Sequence, residues 1–373
     1  MMEEKLRYFG AKVNELIGGS GLSREDTKEM FRQVLLNEQP DLQQGAFLAA
    51  ITAKGATPQE IAGSWEAIYE IDTVKVTPRA DGPLVENCGT GMDALKTFNI
   101  STAASVVAAA DGVLMAKHGA RAITSRCGTI DMLEALGLDM ECEVSVVKRS
   151  IETAGIGIFN GMSPKVHPVA LGRILSQIRF GTILNIAASL ANPALPAIGA
   201  RGVYSQAMIM PALETMREIG FKRAMVFHGL GADGSAGMDE MSTLGRTIVA
   251  EMGEDGAVRS YEIAPRDMGL QTARAEDILS SPDREREVLR FLRVLGGEED
   301  GARQDIVCLN TAPMLYMTGR VSSLAEGVER ARSIIADGRA LGKLQDWIKA
   351  QNTDPAAGLD KFDDLVSRAD AAA

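Results

Sequence analysis

Hydrophobic positions in the first 76 residues recur at the spacing of amphipathic helices. A helix is predicted to begin after Ser23, because the run Ser-Arg-Glu-Asp supplies a cap followed by acidic side chains in the first turn. Two more helices are predicted over residues 42–52 and 58–70, the second with Thr57 as N-cap and Pro58 at the first helical position. We therefore expect a small helical domain over residues 1–76.

The pattern changes after the turn-rich segment 77–83, which reads Thr-Pro-Arg-Ala-Asp-Gly-Pro and is interpreted as a hinge. Short apolar runs then alternate with helical stretches, which indicates a larger α/β domain over residues 84–350. Buried strands are predicted at 113–116, 224–227 and 305–309, and helices at 103–110, 130–136, 207–220 and 324–340. A segment near residues 170–200 is a candidate addition to the helical domain. Residues 351–373 are polar and Ala-rich, and we expect a loosely held tail.

Composition narrows the classes of protein. A chain of 373 residues is long enough for two domains, and its net charge of −11 argues against binding to a nucleic-acid backbone. No run of about 18 apolar residues predicts a membrane span. The charged N-terminus does not resemble a signal peptide, and the four cysteines form no C-x-x-C pair. We expect a cytoplasmic protein with reduced thiols and without nucleic-acid or membrane partners.

The densest candidate chemistry lies in residues 87–102, where Asn-Cys-Gly-Thr-Gly-Met-Asp precedes Lys-Thr-Phe-Asn-Ile-Ser-Thr. Gly89 and Gly91 allow the backbone to approach a ligand closely. Asn99, Ser101 and Thr102 fall where an Ala-rich helix is expected to begin, and a helix N-terminus offers free N–H groups that suit a phosphate. Hydroxyl groups there can also bind a metal ion. A Gly-Thr-Gly triplet alone is equally compatible with an ordinary tight loop.

Lys117 and His118 end a predicted strand, which places a cation and an imidazole at the edge of a sheet where α/β folds bind ligands. A second helix start, near Thr129, lies close by in the sequence. Two helix N-termini beside a basic strand end suit a ligand with two phosphate groups. The chain lacks the G-x-x-x-x-G-K-[ST] pattern of a P-loop.

Asp239 and Glu240 follow a glycine and a methionine, and adjacent carboxylates in such a context can hold a hard cation. Taken alone, such a pair is more often a solvated surface pair. We expect these two side chains to be partly exposed in a cleft.

Together these segments resemble the anthranilate phosphoribosyltransferase family, which is related to the pyrimidine nucleoside phosphorylases. The resemblance extends from about residue 22 to residue 347, and all three histidines of the chain fall in matching blocks. In the order of the family, the blocks lie at 89–93, 97–102, 116–121, 128–137, 167–168, 192–193, 202–205, 228–229, 239–240 and 309–310.

The resemblance implies a small helical domain plus a larger α/β domain of the nucleoside-phosphorylase/phosphoribosyltransferase type, with the active site at the hinge, and a homodimer. The implied reaction transfers the 5-phosphoribosyl group of 5-phosphoribosyl diphosphate (PRPP) to an aromatic amine, anthranilate or a close analogue, with Mg²⁺. The donor would be bound by Gly89, Thr90, Gly91, Asp93, Thr97, Asn99, Ser101, Thr102, Lys117 and Thr129. Magnesium would be bound by Ser101, Asp239 and Glu240. His118 and His167 would lie near the acceptor, with Lys117 and His118 as catalytic candidates.

The departures from the family pattern fall mainly on the acceptor side. Met92 replaces a glycine, Ala120 replaces an asparagine that faces the acceptor, and Ala188-Ser189 replace a Gly-Pro that shapes the acceptor pocket. The segment after residues 167–168 is about two residues shorter than in the family. An arginine that holds the anthranilate carboxylate belongs there, and both Arg173 and Arg179 are candidates.

Three other hypotheses stay open at this point. One is the same donor with a different acceptor. Another is a nucleoside-phosphorylase-like enzyme, against which the acidic pair argues, because a diphosphate donor needs a metal and phosphorolysis need not. The third is a paralogue without catalysis. It would either bind PRPP or bind nucleic acid, and the acidic charge argues against nucleic acid.

Overall fold

The computed structural model describes residues 2–90, 95–121, 128–178, 180–234, 237–299 and 301–371. The helices are α1 (Met2–Ile17), α2 (Arg24–Leu35), α3 (Asp41–Lys54), α4 (Pro58–Ile71), α5 (Ile100–Ala110), α6 (Thr129–Ala135), α7 (Val144–Ala154), α8 (Leu171–Ile178), α9 (Ile183–Leu190), α10 (Ile209–Ile219), α11 (Ala275–Ile278), α12 (Arg284–Gly296), α13 (Ala302–Met317), α14 (Leu324–Ala336), α15 (Arg339–Ala350) and α16 (Pro355–Ala371). The strands are β1 (Leu84–Cys88), β2 (Leu114–Gly119), β3 (Ile156–Asn160), β4 (Ile198–Gly202), β5 (Arg223–Leu230), β6 (Gly237–Met238), β7 (Thr247–Met252) and β8 (Val258–Ile263). Within these ranges, no helix has the length and apolarity needed to cross a membrane.

The starts of α2 and α4 follow from their capping residues. Ser23 Oγ accepts a hydrogen bond from the backbone N–H of Asp26, as the sequence predicts. Thr57 and Glu60 form a reciprocal capping box ahead of α4, with Pro58 in its first turn. Glu60 also accepts from the N–H of Leu22, so one buried carboxylate joins the start of α4 to the loop before α2.

The sheet has the strand order β3-β2-β1-β4-β5-β7-β8, with β6 paired to β5. The first five strands of this order are parallel, and β7 and β8 are antiparallel. Helix α5 covers one face together with α13, and α9 and α10 cover part of the other face. Because both faces are covered, the strands read as short apolar runs, and the predictions of strands at 113–116 and 224–227 are confirmed.

The helices before the sheet form one hydrophobic cluster with α8, α9 and α10. Phe47 packs edge-on against Phe9 and Phe31, with ring centroids 5.6 and 5.0 Å apart respectively. Trp65 Nε1 donates to the carbonyl of Leu190 over 2.9 Å, which ties α4 to the end of α9. The residues near 170–200 therefore pack with the N-terminal helices, while the exact domain boundaries stay a prediction.

Two predictions from the sequence are wrong. Residues 305–309 lie inside helix α13, not in a strand, because a helix that is buried on nearly all sides also reads as a short apolar run. The tail from residue 351 is not loosely held. Helix α16 occupies most of it, and its Phe362, Leu365 and Ala369 are buried in the main core. The Ala-rich composition favoured this helix, and its apolar stripe docks it.

Candidate active site

The carboxyl ends of β1, β2 and β4 lie side by side at one edge of the sheet. Cys88 pairs in register with Arg201, and Gly89 continues from β1 into the Gly-Thr-Gly loop. Lys117 and His118 close β2 at the same edge. Since successive residues of a strand point to opposite faces, each strand delivers one side chain toward α5 and the next toward α9.

The acidic pair packs directly against the glycine loop, although the two are about 150 residues apart in the chain. Thr90 Oγ1 donates to Asp239 Oδ2 over 3.3 Å, and the backbone N–H of Ser101 donates to Glu240 Oε1 over 3.1 Å. A Cβ atom on Gly89 would collide with the Asp239 carboxylate, so glycine is required by close approach. The expectation of partly exposed carboxylates is wrong: Asp239 and Glu240 are 7% and 8% exposed.

Two helix N-termini meet beside this loop. Asn99 is the N-cap of α5, and Thr102 Oγ1 in the first turn lies 3.5 Å from Thr129 Oγ1, the first residue of α6. Thr97, just before α5, forms an isolated antiparallel bridge with Leu279. The predicted donor residues Thr90, Asn99, Ser101, Thr102 and Thr129 thus gather at one edge of the sheet. Gly91 and Asp93 lie outside the described residues.

Lys117 lies beneath the first turn of α5 and is 2% exposed. Its Nζ donates to Asn87 O (3.0 Å), Asn87 Oδ1 (2.6 Å) and Ser105 Oγ (2.9 Å). Asn87 Nδ2 in turn donates to the carbonyl of Ser101 over 2.9 Å. Burial lowers the pKa of Lys117 to about 8. The ammonium therefore supports the first turn of α5 from behind.

His118 and His167 form a buried pair, with their Nε2 atoms 3.3 Å apart. His167 Nδ1 lies 2.6 Å from the carbonyl oxygen of Asp72, so Nδ1 carries the proton and Nε2 accepts from His118. The Asp72 carboxylate accepts from the N–H groups of residues 169–171, which fixes the entry to α8. Burial, and secondarily the neighbouring His167, lowers the pKa of His118 to about 3. Burial also lowers the pKa of His167, so both rings are neutral near pH 7.

Arg173 and Arg179 are the two predicted candidates for binding the acceptor carboxylate, and the structure describes only the first of them. Arg173 is held by the N-terminal helices: its Nη2 donates to Val34 O over 2.9 Å and its Nη1 to Gln44 Oε1 over 3.4 Å. The structure does not bring it to the sheet edge. Arg179 lies outside the described residues.

Two charged residues of the site, Glu86 and Arg201, were not predicted from the sequence. Arg201 Nη2 donates to Ser189 Oγ over 2.5 Å, across the space between β4 and α9. Asn192 Nδ2 donates to Glu86 Oε1 over 3.1 Å and to the carbonyl of Ala116 over 2.8 Å. Burial raises the pKa of Glu86 to about 7. A usable signal was present, because Glu86 and Arg201 are single charges inside otherwise uncharged strands.

Comparison with known proteins agrees with this architecture. A family described as "Glycosyl transferase family, a/b domain" matches residues 81–341, and "Glycosyl transferase family, helical bundle domain" matches residues 13–70. The chain is 36% identical over 347 residues to the anthranilate phosphoribosyltransferase of Methanococcoides burtonii, covering 92% of this chain and 94% of that protein. It is also 36% identical to that of Rubrobacter xylanophilus, covering 94% and 97% of the two chains.

Solved structures show the same fold. The anthranilate phosphoribosyltransferase of Thermus thermophilus superimposes with a TM-score of 0.80 at 32% identity, covering 91% of this chain and 98% of that one. The enzyme of Saccharomyces cerevisiae in complex with PRPP and Mg superimposes with a TM-score of 0.79 at 22% identity, covering 92% and 98% of the two chains.

Proposed function

The chain belongs to the anthranilate phosphoribosyltransferase family, and from that premise we propose that it transfers the 5-phosphoribosyl group of PRPP to anthranilate, releasing diphosphate. The observation that carries the proposal is the convergence of Asp239 and Glu240 on the Gly-Thr-Gly loop and the start of α5. This arrangement unites the start of a helix, hydroxyls and carboxylates at one point, as a diphosphate donor with a metal ion requires.

The donor side fits magnesium by the chemistry of its oxygen atoms. Mg²⁺ is commonly held by one or two carboxylates together with substrate phosphates, and Asp239, Glu240 and the Ser101 hydroxyl offer hard oxygen ligands here. Among the described residues, no group of three or more His, Cys, Asp or Glu side chains forms a complete protein cage. When bound, the ion would neutralise negative charge on the leaving diphosphate. The start of α5 and the buried Lys117 contribute positive potential from the protein itself.

The acceptor side needs to position an amine that is already nucleophilic. The amine nitrogen forms a bond to the anomeric carbon as the bond to diphosphate breaks, and the nitrogen then loses a proton. His118 is neutral, and it lies beside the backbone of Ser189 at the acceptor edge. A weakly basic imidazole suffices, because the aryl ammonium formed on attack is a strong acid. His118 can therefore accept that proton at Nδ1, because its Nε2 proton is directed at His167, which holds the ring in place.

Diphosphate release tests the proposal directly. Purified protein with PRPP, Mg²⁺ and anthranilate should release diphosphate and form the N-phosphoribosyl product of anthranilate, and omission of either Mg²⁺ or anthranilate should abolish both signals. Release with another aromatic amine but not with anthranilate would favour the second candidate, a different acceptor. Ala120 and Ser189, which depart from the family pattern, are the observations behind that candidate. PRPP binding without release for any amine would contradict an enzymatic role.

We also propose that residues 1–76, completed by the segment near 170–200, and the remainder of residues 84–350 form two domains that close around the ligands about segment 77–83. In support, the backbone N–H of Val76 donates to Pro193 and that of Val74 donates to Val166, so the chain just before this segment is bonded beside His167 and Asn192. Small-angle scattering with saturating PRPP and Mg²⁺ should show a smaller radius of gyration. An unchanged radius would argue against closure.

A homodimer is proposed from the apolar surface between α1 and α3. Ile17 and Leu42 are 70% and 89% exposed, and they flank a groove that Val13 and Ala46 also line. Large exposed apolar side chains grouped in this way are typical of contacts between subunits. Sedimentation of the wild type should give twice the mass of one chain. Leu42→Glu should lower the sedimenting mass to that of a single chain. A wild-type chain that sediments as a monomer at micromolar concentration would contradict the proposal.

A further inference from the structure

Arg201 is the buried cation on the α9 face of the sheet, and only 4% of the residue is exposed. Among the residues that the structure describes, its guanidinium has one hydrogen-bond partner, Ser189 Oγ. An arginine has five N–H donors, so most of them are available to another group. None of its nitrogens belongs to the fully buried side-chain atoms without a partner, so the nitrogens that make no hydrogen bond to the described residues keep some accessible surface.

The charge of Arg201 also lacks a contact ion pair within the described part of the chain. The buried acid Glu86 feels the charge of Arg201 through space, but it accepts its hydrogen bond from Asn192 instead. Burial raises the pKa of Glu86 to about 7, so this carboxyl is only partly ionised at neutral pH. A buried cation without an ion-pair partner is costly, and an anion that binds beside it reduces that cost.

Arg201 lies between the proposed binding regions of the two substrates. Its register partner Cys88 directly precedes the Gly-Thr-Gly loop, and the next residue, Gly202, packs against the backbone of Asp239. Burial is the main cause of the lowered pKa of His118, and the charge of Arg201 contributes in the same direction. Arg201 and His118 therefore lie near each other at the same edge, with Ser189 beside both.

We propose that Arg201 binds the carboxylate of the acceptor and so determines specificity for an aromatic amine that carries a neighbouring acid group. Ser189 orients the guanidinium, which a proline at that position could not do because it offers no side-chain acceptor. The inference rests on the proposed function. Arg173, the candidate closer to His167 in sequence, is engaged with Val34 and Gln44 and does not supply this contact.

Binding of two acceptors that differ only in the carboxylate tests the proposal. Anthranilate and aniline are titrated by calorimetry into the wild type and Arg201→Gln, each saturated with Mg²⁺ and diphosphate. The affinity of Arg201→Gln for anthranilate should fall about tenfold to a hundredfold, the range for a charge-assisted hydrogen bond, while its affinity for aniline stays within about twofold. Arg201→Lys should recover part of the loss, and Ser189→Ala should lose less than Arg201→Gln.

Matched variants distinguish carboxylate binding by Arg201 from carboxylate binding by another arginine and from a structural role of Arg201. Arg173→Gln and Arg179→Gln are measured in the same way, and a selective loss of anthranilate in either of them, with Arg201→Gln unaffected, would overturn the proposal. An equal loss of anthranilate and aniline in Arg201→Gln and in Arg201→Lys would also overturn it, because it would indicate a purely structural arginine. A raised KM for PRPP with unchanged anthranilate binding would place Arg201 on a donor phosphate instead.

Failure of the proposed function can be distinguished from failure of this inference. If the wild type releases no diphosphate with anthranilate, the proposed reaction is wrong. The carboxylate preference is still measured by titration with benzoate, which has the acid group but no amine. Benzoate binding to the wild type that is lost in Arg201→Gln supports the inference, and binding that is absent or equal in both proteins overturns it.

Discussion

Among the described residues, Lys117 and Arg201 are buried cations on opposite faces of the sheet at its carboxyl edge, and they differ in how their hydrogen-bond capacity is used. Toward α5, the Lys117 ammonium donates to three acceptor atoms of the protein, which belong to Asn87 and Ser105. Toward α9, Arg201 has a single partner among the described residues, Ser189. A satisfied buried cation supports structure, whereas one with free donors is prepared for a ligand.

Residues that are adjacent in the chain lie on opposite faces of the sheet and have different roles. Lys117 and His118 follow each other in β2, yet one supports the helix start of the donor side and the other faces the acceptor side. The same holds for Glu86 and Asn87 in β1. The strand alternation thus distributes donor and acceptor chemistry to the two faces of one edge.

The largest expected effect concerns the carboxylates that complete the donor side. Asp239→Asn combined with Glu240→Gln should lower diphosphate release on the order of a thousandfold, because the charge that holds the metal against the leaving group is lost. Both amides can still accept from Thr90 and Ser101, so the melting temperature should change by only a few degrees. A double variant with near-normal release would show that the pair is structural.

On the α5 face, the buried Lys117 should make the free energy of unfolding increase as the pH rises. The pKa of Lys117 is lowered to about 8 in the folded protein, so between about pH 8 and the ordinary lysine value the unfolded chain binds the proton and the folded chain does not. Stability from this group should rise over that window by at most about 3 kcal/mol. Urea unfolding as a function of pH measures it, with Lys117→Met lacking the rise and the exposed Lys349→Met retaining it. If the unfolding free energies of all three proteins changed with pH in parallel, the lowered pKa of Lys117 would be contradicted.

On the α9 face, the buried Glu86 should make the free energy of unfolding decrease as the pH rises, over a lower pH range. Because the pKa of Glu86 is raised to about 7, the folded chain binds a proton that the unfolded chain has released, and stability falls as pH rises from the ordinary glutamate value to about 7. Glu86→Gln should remove this fall and be more stable than the wild type at pH 8, by about 2–3 kcal/mol. The difference should vanish near pH 4.5, the ordinary glutamate value. Glu276→Gln, at an exposed position, serves as the control, and a Glu86→Gln curve parallel to it would refute the prediction.

The smallest expected effect lies at the end of β2. Ala120 offers no side-chain hydrogen bond, and Ala120→Asn should lower the KM for anthranilate about threefold to tenfold by adding one. Steady-state kinetics at saturating PRPP measure it, and the KM for PRPP should not change. A low micromolar KM in the wild type that Ala120→Asn leaves unaltered would indicate that a neighbouring group already compensates.

Much of the donor side could be predicted from the sequence because its parts are local. The cap of α5, the glycine loop before it and the Lys-His end of β2 each occupy a few consecutive residues, and each has a recognisable physical signature. Helix α13 and the C-terminal helix α16 were misjudged, because an apolar run and an Ala-rich run do not reveal what they pack against.

By itself, the sequence determined the capped N-terminal helices, the alternation of strands and helices, and the segments proposed to bind a phosphate group. Only the tertiary structure decided that Asp239 and Glu240 close the donor loop, that Arg173 is engaged by the N-terminal helices, and that Arg201 faces Ser189. The physical reason is distance along the chain. Helix caps and strand alternation depend on neighbours within a few residues, whereas burial, the resulting pKa shifts and the partners of a charged side chain depend on which distant elements pack together.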